Sequence, residues 1–242
     1  MRRPDRSDVL SLLRRLRSSP LGERLILAGS SGLYGASPEI PALTEDIDVL
    51  VDADWVGAEE SHLLAEMSRF GFEHQPGTSS FLLAEGLSLD LVGFSQRDAV
   101  DRIGGGTTVP VMVFSDLSRI LSEPGSIVEL PTQGKALSPA ALAASKLLTV
   151  RLEKGSKDKL QALLLIEENA GNPDFLRDLR RLLGRFDPEQ IGDALADAQV
   201  ACLAVSGDAS RADLQSRGYA EMSEAVRRGF TGLQRLLNVE AR

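Results

Sequence analysis

The sequence predicts an α/β (α+β) protein, with a mixed β-sheet domain over residues 1–135 followed by a C-terminal helical domain over 136–242. Two observations carry this. Short apolar runs broken by Gly, Pro and Asp fill the first half, the pattern of strands joined by turns. Near residue 137 the composition changes: Ser138-Pro139 has the form of an N-cap followed by proline at the first helical position, and helical periodicity then runs almost to the end. The boundary is expected between 131 and 138.

The elements follow in order. Residues 5–18 read as an amphipathic helix, with Val9, Leu10, Leu12, Leu13 and Leu16 apolar and arginines between them. Leu25–Ala28 is too short for a helix and reads as a strand, as does Ile47–Val51. Residues 57–70 place Leu63, Leu64, Met67 and Phe70 at helical spacing. Ser79–Ala84 and Leu87–Phe94 form a hairpin turning at Glu85-Gly86. A short helix is expected from about Gln96, leading to a turn at Gly104-Gly105-Gly106. Val109–Phe114 and Ile127–Leu130 are further strands, with a helical segment over 116–121 between them. Helices are then expected over 139–153, 157–169, 173–185, 188–205 and 209–237, separated by Gly155, Gly171-Asn172-Pro173, Asp187-Pro188 and Gly207-Asp208. There is no internal repeat and no low-complexity segment.

Composition narrows the function. No apolar run approaches the ~20 residues that span a bilayer, and the basic start, Met1 to Arg6, has no apolar signal core after it. The single cysteine, Cys202, excludes an internal disulfide and a Cys-rich zinc site; it reads as a small buried side chain in a protein of the reducing cytoplasm. A net charge of -8 argues against wrapping nucleic acid non-specifically. Arginines cluster at 14, 15 and 17, at 177, 180, 181 and 185, and at 227, 228 and 235, each time on an amphipathic helix whose polar face is ordinarily solvated.

The chemistry concentrates between Leu25 and Asp52. Asp46 and Asp48 sit one residue apart in an apolar run, so on a strand both point to one face, about 6–7 Å apart. Two carboxylates so placed repel each other unless one gains a proton or a cation lies between them. Mg²⁺ takes one or two protein carboxylates and completes its shell with phosphate oxygens and water. Asp90, flanked by Leu89 and Leu91 in a later strand, is the candidate third carboxylate. The plainer alternative is a solvent-facing strand, although Asp is depleted in strands.

Gly29-Ser30-Ser31 ends the preceding strand. Gly29 permits a tight turn and close approach of a ligand, and the serines can cap the short helix that follows, offering hydroxyl and backbone N–H groups to a phosphate. An ordinary N-cap is the plainer reading of these three residues. A dinucleotide-binding (NAD(P)) turn through Gly29, Gly32 and Gly35 fails on spacing, and Pro38 and Pro41 interrupt the crossover helix it would need. The chain has no P-loop and no nucleophile elbow. His62 and His74 are isolated and suit surface positions.

Strand, Gly-Ser, short helix, Asp-x-Asp on the next strand and a third Asp on a later one resembles the nucleotidyltransferase superfamily of polymerase β. More narrowly, Gly29-Ser30-Ser31, Gly35, Thr44-Glu45-Asp46-Ile47-Asp48 and the helix after Ser138, with Lys146, Arg151 and Lys157-Asp158, resemble the AbiEii/MenA-type bacterial nucleotidyltransferase-like proteins. The resemblance implies a nucleotidyltransferase-type fold in which Asp46, Asp48 and Asp90 bind Mg²⁺ (or Mn²⁺), Asp90 is the general base, Ser30 contacts the triphosphate and Lys146 approaches the phosphates. Lys157 and Asp158 are expected to tie helix to sheet. Ala42 stands where the family often has Arg, and Gly-Ser where the narrower group commonly has Gly-Gly.

The expected activity is transfer of a nucleotide from an NTP to an acceptor hydroxyl with loss of pyrophosphate. The acceptor, an RNA or tRNA 3′ end, a protein or a small molecule, is expected in a cleft between the domains. The resemblance also implies a toxin of a toxin–antitoxin system with an antitoxin protein as partner. The alternative is a non-catalytic nucleotide- or metal-binding regulatory module.

Overall fold

The computed structural model describes residues 5–37, 39–42, 44, 46–130, 134–149, 156–206 and 216–238. The chain packs as two units, Met1–Pro38 with Thr44–Ser138, and Glu39–Leu43 with Pro139–Arg242. The first is a mixed sheet with helices and the second is helical, so the architecture is the α/β arrangement that the sequence predicts.

In the sheet unit, α1 (Arg6–Arg17) starts at a capping box made by Asp5 and Asp8 and buries Val9, Leu12, Leu13 and Leu16. A 3-10 turn, Pro20–Glu23, leads to β1 (Ile26–Leu27), α2 (Leu33–Ala36), β2 (Asp46–Asp52) and α3 (Ala53–Arg69). Then come β3 (Phe72–His74), β4 (Ser80–Leu83), β5 (Ser88–Phe94), β6 (Arg102–Gly105), β7 (Pro110–Val113), α4 (Ser115–Leu121), β8 (Ile127–Leu130) and β9 (Gly134–Leu137). The strand order is β3-β4-β5-β2-β1-β9-β8, with β7 joining β5 and β6 joining β7. Parallel pairing of β2 with β5 and antiparallel pairing of β2 with β1 put β2 at the centre.

Side-chain alternation then fixes the faces. Ile47, Val49 and Val51 of β2 and Leu89 and Leu91 of β5 enter one core with α1 residues Val9, Leu12, Leu13 and Leu16 and α3 residues Val56, Leu63 and Met67. Burial of each such side chain is worth about 1.5–3 kcal/mol, so a one-residue slip of either strand would forfeit several at once. Asp46, Asp48 and Asp90 are consequently held on the opposite face.

Several elements differ from expectation. The helix predicted from Gln96 is absent: the Ser95 hydroxyl accepts the backbone N–H groups of Arg97 and Asp98 at 3.2 and 3.3 Å, holding a turn instead. The chain then forms β6 before turning, and Glu60 pins that turn by accepting the N–H groups of Thr108 (2.7 Å) and Val109 (2.6 Å). The α3 helix starts at Ala53 rather than 57, because the Asp52 side chain accepts the Asp54 N–H at 3.0 Å as an N-cap. A non-helical Glu59 divides it. The short strands β3 and β9 had too few residues to show a period. Residues 150–155 and 207–215, within or beside two predicted helices, lie outside the described residues.

The helical unit comprises α5 (Pro139–Leu148), α6 (Lys157–Glu168), α7 (Pro173–Leu183), α8 (Pro188–Ser206), a 3-10 segment Ser216–Met222 and α9 (Ser223–Asn238). All residues of α5 after Pro139 are buried, and α6 is buried almost throughout, so the others pack around these two. Cys202 is buried, as expected. Gln161, fully buried on α6, donates through Nε2 to the Ala42 carbonyl at 2.7 Å, while the Tyr219 hydroxyl donates to the Pro41 carbonyl at 2.7 Å. These bonds hold the Glu39–Leu43 segment in this unit.

Helix α9 approaches α6 at Gly229, where a Cβ would lie 2.0 Å from the Leu163 carbonyl oxygen. Gly229→Ala gains about 1 kcal/mol in helix propensity, but it drives a methyl into backbone that cannot yield without moving a helix. The collision is expected to win, lowering the thermal unfolding midpoint; an unchanged or higher midpoint would show that α6 and α9 separate freely.

Candidate active site

The parallel register of β2 and β5 sets Asp46 beside Ser88 and Asp48 beside Asp90, so the three carboxylates share one face of two adjacent strands. Asp48 is almost fully buried, whereas Asp46 and Asp90 are half-buried. The Thr44 hydroxyl lies 2.8 Å from both the Asp46 carbonyl and Asp46 Oδ1, fixing that carboxylate against the chain that enters the strand. Ser88 Oγ donates to Asp90 Oδ1 at 3.2 Å. Burial pushes the Asp90 carboxyl above the usual carboxylate range and the neighbouring Asp46 adds to the rise, while the Ser80 and Ser88 hydroxyls oppose it. Asp90 thus meets Asp46 as a like charge in a partly desolvated place.

The Gly-Ser turn belongs to the same cluster. β1 pairs antiparallel with β2, and the Ala28 N–H donates to the Asp48 carbonyl at 3.1 Å, which brings the end of β1 alongside Asp48. Gly29 follows with φ +57, and a Cβ there would lie 1.9 Å from Asp48 Oδ2. The Asp48 carboxylate therefore occupies the space that any side chain at 29 would fill. Ser30 and Ser31 are buried, and the Ser31 hydroxyl donates to the Ala28 carbonyl at 2.9 Å, closing the turn rather than facing outward.

Lys146 is in the helical unit, buried, with Nζ donating to Asp158 Oδ1 at 2.8 Å. This pair joins α6 to α5. Lys159, next along, donates to the Leu147 and Thr149 carbonyls at the end of α5, and burial lowers its ammonium pKa. Two of the α7 arginines are engaged along their own helix, Arg177 with Asp174 at 2.7 Å and Arg181 with Asp178 at 3.4 Å, which is the solvated-face arrangement. Thr44, Ser80 and Ser88 were not singled out as site residues from sequence. Thr44 alone had a signal there, two residues before the first Asp.

The donor set consists of hard carboxylate oxygens, the type that Mg²⁺ prefers. Among the described residues, no three Asp, Glu, His or Cys side chains are arranged to hold one metal ion together. The cluster fits an ion that takes one or two protein carboxylates and draws its remaining oxygens from phosphate and water.

No protein-family model and no curated protein matches the sequence. The chain is similar to a solved structure from H. pylori described as a “putative nucleotidyltransferase”, with a TM-score of 0.47 and 13% identity, covering 93% of this chain and 92% of that one. Likeness at this level does not assign chemistry, which rests on the residues above. No helix among the described residues is long and apolar enough to cross a membrane.

Two outcomes test the cluster itself. Gly29→Ala places a side chain in the left-handed region, costing about 1–2 kcal/mol, and collides with Asp48; thermal melts should show clear destabilisation, and a wild-type midpoint would mean that the carboxylate can leave Gly29 at no cost. Asp90→Asn should act in the other direction. A carboxyl whose folded pKa is raised binds its proton more tightly folded than unfolded, so stability falls as pH rises through that pKa. The Asn variant avoids this loss. It should melt above the wild type at pH 7 in the absence of divalent metal, with the gap closing below about pH 4, where both side chains are neutral; a wild type that melts higher at pH 7 would refute the repulsion.

Proposed function

We propose that this chain is a nucleotidyltransferase of the polymerase β type, transferring a nucleotide from an NTP to an acceptor hydroxyl. The observation that carries the reading is the joining of Asp46, Asp48 and Asp90 on one sheet face with the Gly29 turn packed directly against Asp48. Three carboxylates forced together in partly buried positions carry a standing cost, which a site for positive charge relieves. Asp46 and Asp48 would hold Mg²⁺ or Mn²⁺, which when bound neutralises triphosphate charge as it develops. Glycine at 29 lets the turn's backbone lie directly against Asp48, which would bring its N–H groups and the metal-binding carboxylate to the same phosphate.

Asp90 would take the proton of the attacking hydroxyl. Its raised pKa makes it a stronger base than an ordinary carboxylate. The hydroxyl oxygen bonds to the α-phosphorus, the bond to the bridging oxygen breaks, and pyrophosphate leaves with the electron pair. Gly29, Ser30, Ser31 and Lys146 would complete the site by contacting the phosphates, with Lys146 Nζ also held by Asp158 and the Ser31 hydroxyl by the Ala28 carbonyl. The acceptor would be a hydroxyl of RNA, of a protein or of a small molecule. Membership of the AbiEii/MenA-type group and an antitoxin partner belong to the same reading and rest on the Thr44-to-Asp48 segment and the Gly-Ser turn.

The test is transfer of label from α-³²P NTPs to candidate acceptors, with calorimetric titration of each NTP in the presence of Mg²⁺. Asp46→Asn and Asp48→Asn should each reduce transfer by at least about 100-fold while circular dichroism shows the fold intact. Full activity in either variant would sink the mechanism. Saturable NTP binding with no transfer to any acceptor would instead assign a non-catalytic nucleotide-binding module.

A further inference from the structure

A second candidate site lies at the other end of the same strands. A cavity of about 550 Å³ opens beside the carboxyl ends of β2 and β5, lined by Asp52 and Phe94 there, by Ile26 and Lys135 where β1 and β9 begin, and by residues of the 95–99 turn and α4. Asp52 lies six positions after Asp46, which places the cavity about 20 Å along the strand from the first carboxylate. Its volume is that of a small-molecule site. The carboxyl ends of parallel strands are also where open α/β sheets most often take ligands.

Charge distinguishes this cavity from the rest of the unit. Of the twelve Arg and Lys residues in the sheet unit, four line it: Arg24, Arg97, Arg119 and Lys135; of the nineteen Asp and Glu residues, only Glu23, Asp52 and Asp98 do. A third of the positive charge of an acidic unit therefore meets in one hollow. The three acids are engaged, and so are two of the cations: Glu23 pairs with Lys135 at 2.7 Å, Asp52 caps α3, Asp98 lies 3.5 Å from Arg102, and Arg97 lies 3.5 Å from Asp54, while Arg24 and Arg119 act on Glu23 and Asp101 from further off. The Arg24 guanidinium stands over the Trp55 ring, 5.5 Å from its centroid, a stacking that orients the planar fork without neutralising it. Behind the charges, Ile26, Phe94 and Leu121 supply apolar wall.

The geometry points to a binding site for a small organic anion, with a phosphate or carboxylate head held by Arg24 and Arg119 and an apolar body against Ile26 and Phe94. Guanidinium forks match either head, and the apolar wall favours an attached ring or chain over an inorganic ion. This site stands independently of the carboxylate chemistry.

The probes are phenyl phosphate, benzoate and neutral benzyl alcohol, titrated into the full chain in EDTA by calorimetry, with emission of Trp55, the single tryptophan, reporting location. At least one anion should bind saturably and change the emission, benzyl alcohol should do neither, and whichever head binds identifies its chemistry. Arg24→Ala and Arg119→Ala should each weaken binding about ten-fold, while Asp48→Asn should leave it unchanged. The inference is overturned if neither anion saturates, if benzyl alcohol binds equally, if both arginine variants keep wild-type affinity, or if Asp48→Asn abolishes binding.

Discussion

The contact between Gly29 and the Asp48 carboxylate is the constraint around which the sheet unit is arranged. The antiparallel ladder between β1 and β2 sets residue 29 over residue 48, and the missing side chain lets the carboxylate lie against backbone. Without that ladder the turn would still be a turn and the Asp pair still a pair, but they would not form one site. The parallel ladder between β2 and β5 adds Asp90 by the same logic, since Asp48 and Asp90 are register partners. Every carboxylate position is thus a consequence of backbone pairing, and the pairing in turn is held by the apolar residues at alternate positions.

That alternation creates a conflict. Ile47, Val49, Val51, Leu89 and Leu91 gain their stabilisation only if the residues alternating with them face the other way, and Asp46, Asp48 and Asp90 are among these. The core burial is worth more than the repulsion costs, so the strands keep their register and the carboxylates are compressed together. The Ser80 and Ser88 hydroxyls and the Thr44 hydroxyl offset part of the cost at Asp90 and Asp46. The remainder is carried as a proton affinity raised at Asp90. A local rule broken in the middle of a well-formed sheet is where function is expected to sit.

Most of this was legible from the residues. The Asp46–Asp52 strand, the hairpin at Gly86 and the boundaries of α1, α6 and α7 follow from apolar period and from Gly, Pro and Asp punctuation. The shared face of Asp46, Asp48 and Asp90 follows from alternation once the strands are assigned. What sequence could not supply was pairing. No local signal says that β5 lies beside β2 in register, or that Gly29 lies under Asp48, because both depend on contacts between distant residues. The same limit applies to Lys146, whose partner Asp158 lies twelve residues on and on another helix. The absent helix near Gln96 failed for a different reason, a serine side chain that outcompeted the helical backbone bonds over three residues.

The two ends of β2 and β5 carry opposite electrostatics, and the strand order explains why. At the amino ends the parallel pair brings Asp48 beside Asp90, with the β1 turn closing over them. At the carboxyl ends the neighbours are the starts of β1 and β9 and the turn after β5, which bring Arg24, Lys135 and Arg97 together. A chain with a net charge of -8 gains nothing in fold stability by gathering cations there, since exposed pairs such as Lys135 with Glu23 contribute little. Segregating charge along one pair of strands instead sets up two regions with different ligand preferences on a rigid support. On the readings proposed above, a divalent cation with its phosphates would bind at one end and an organic anion at the other.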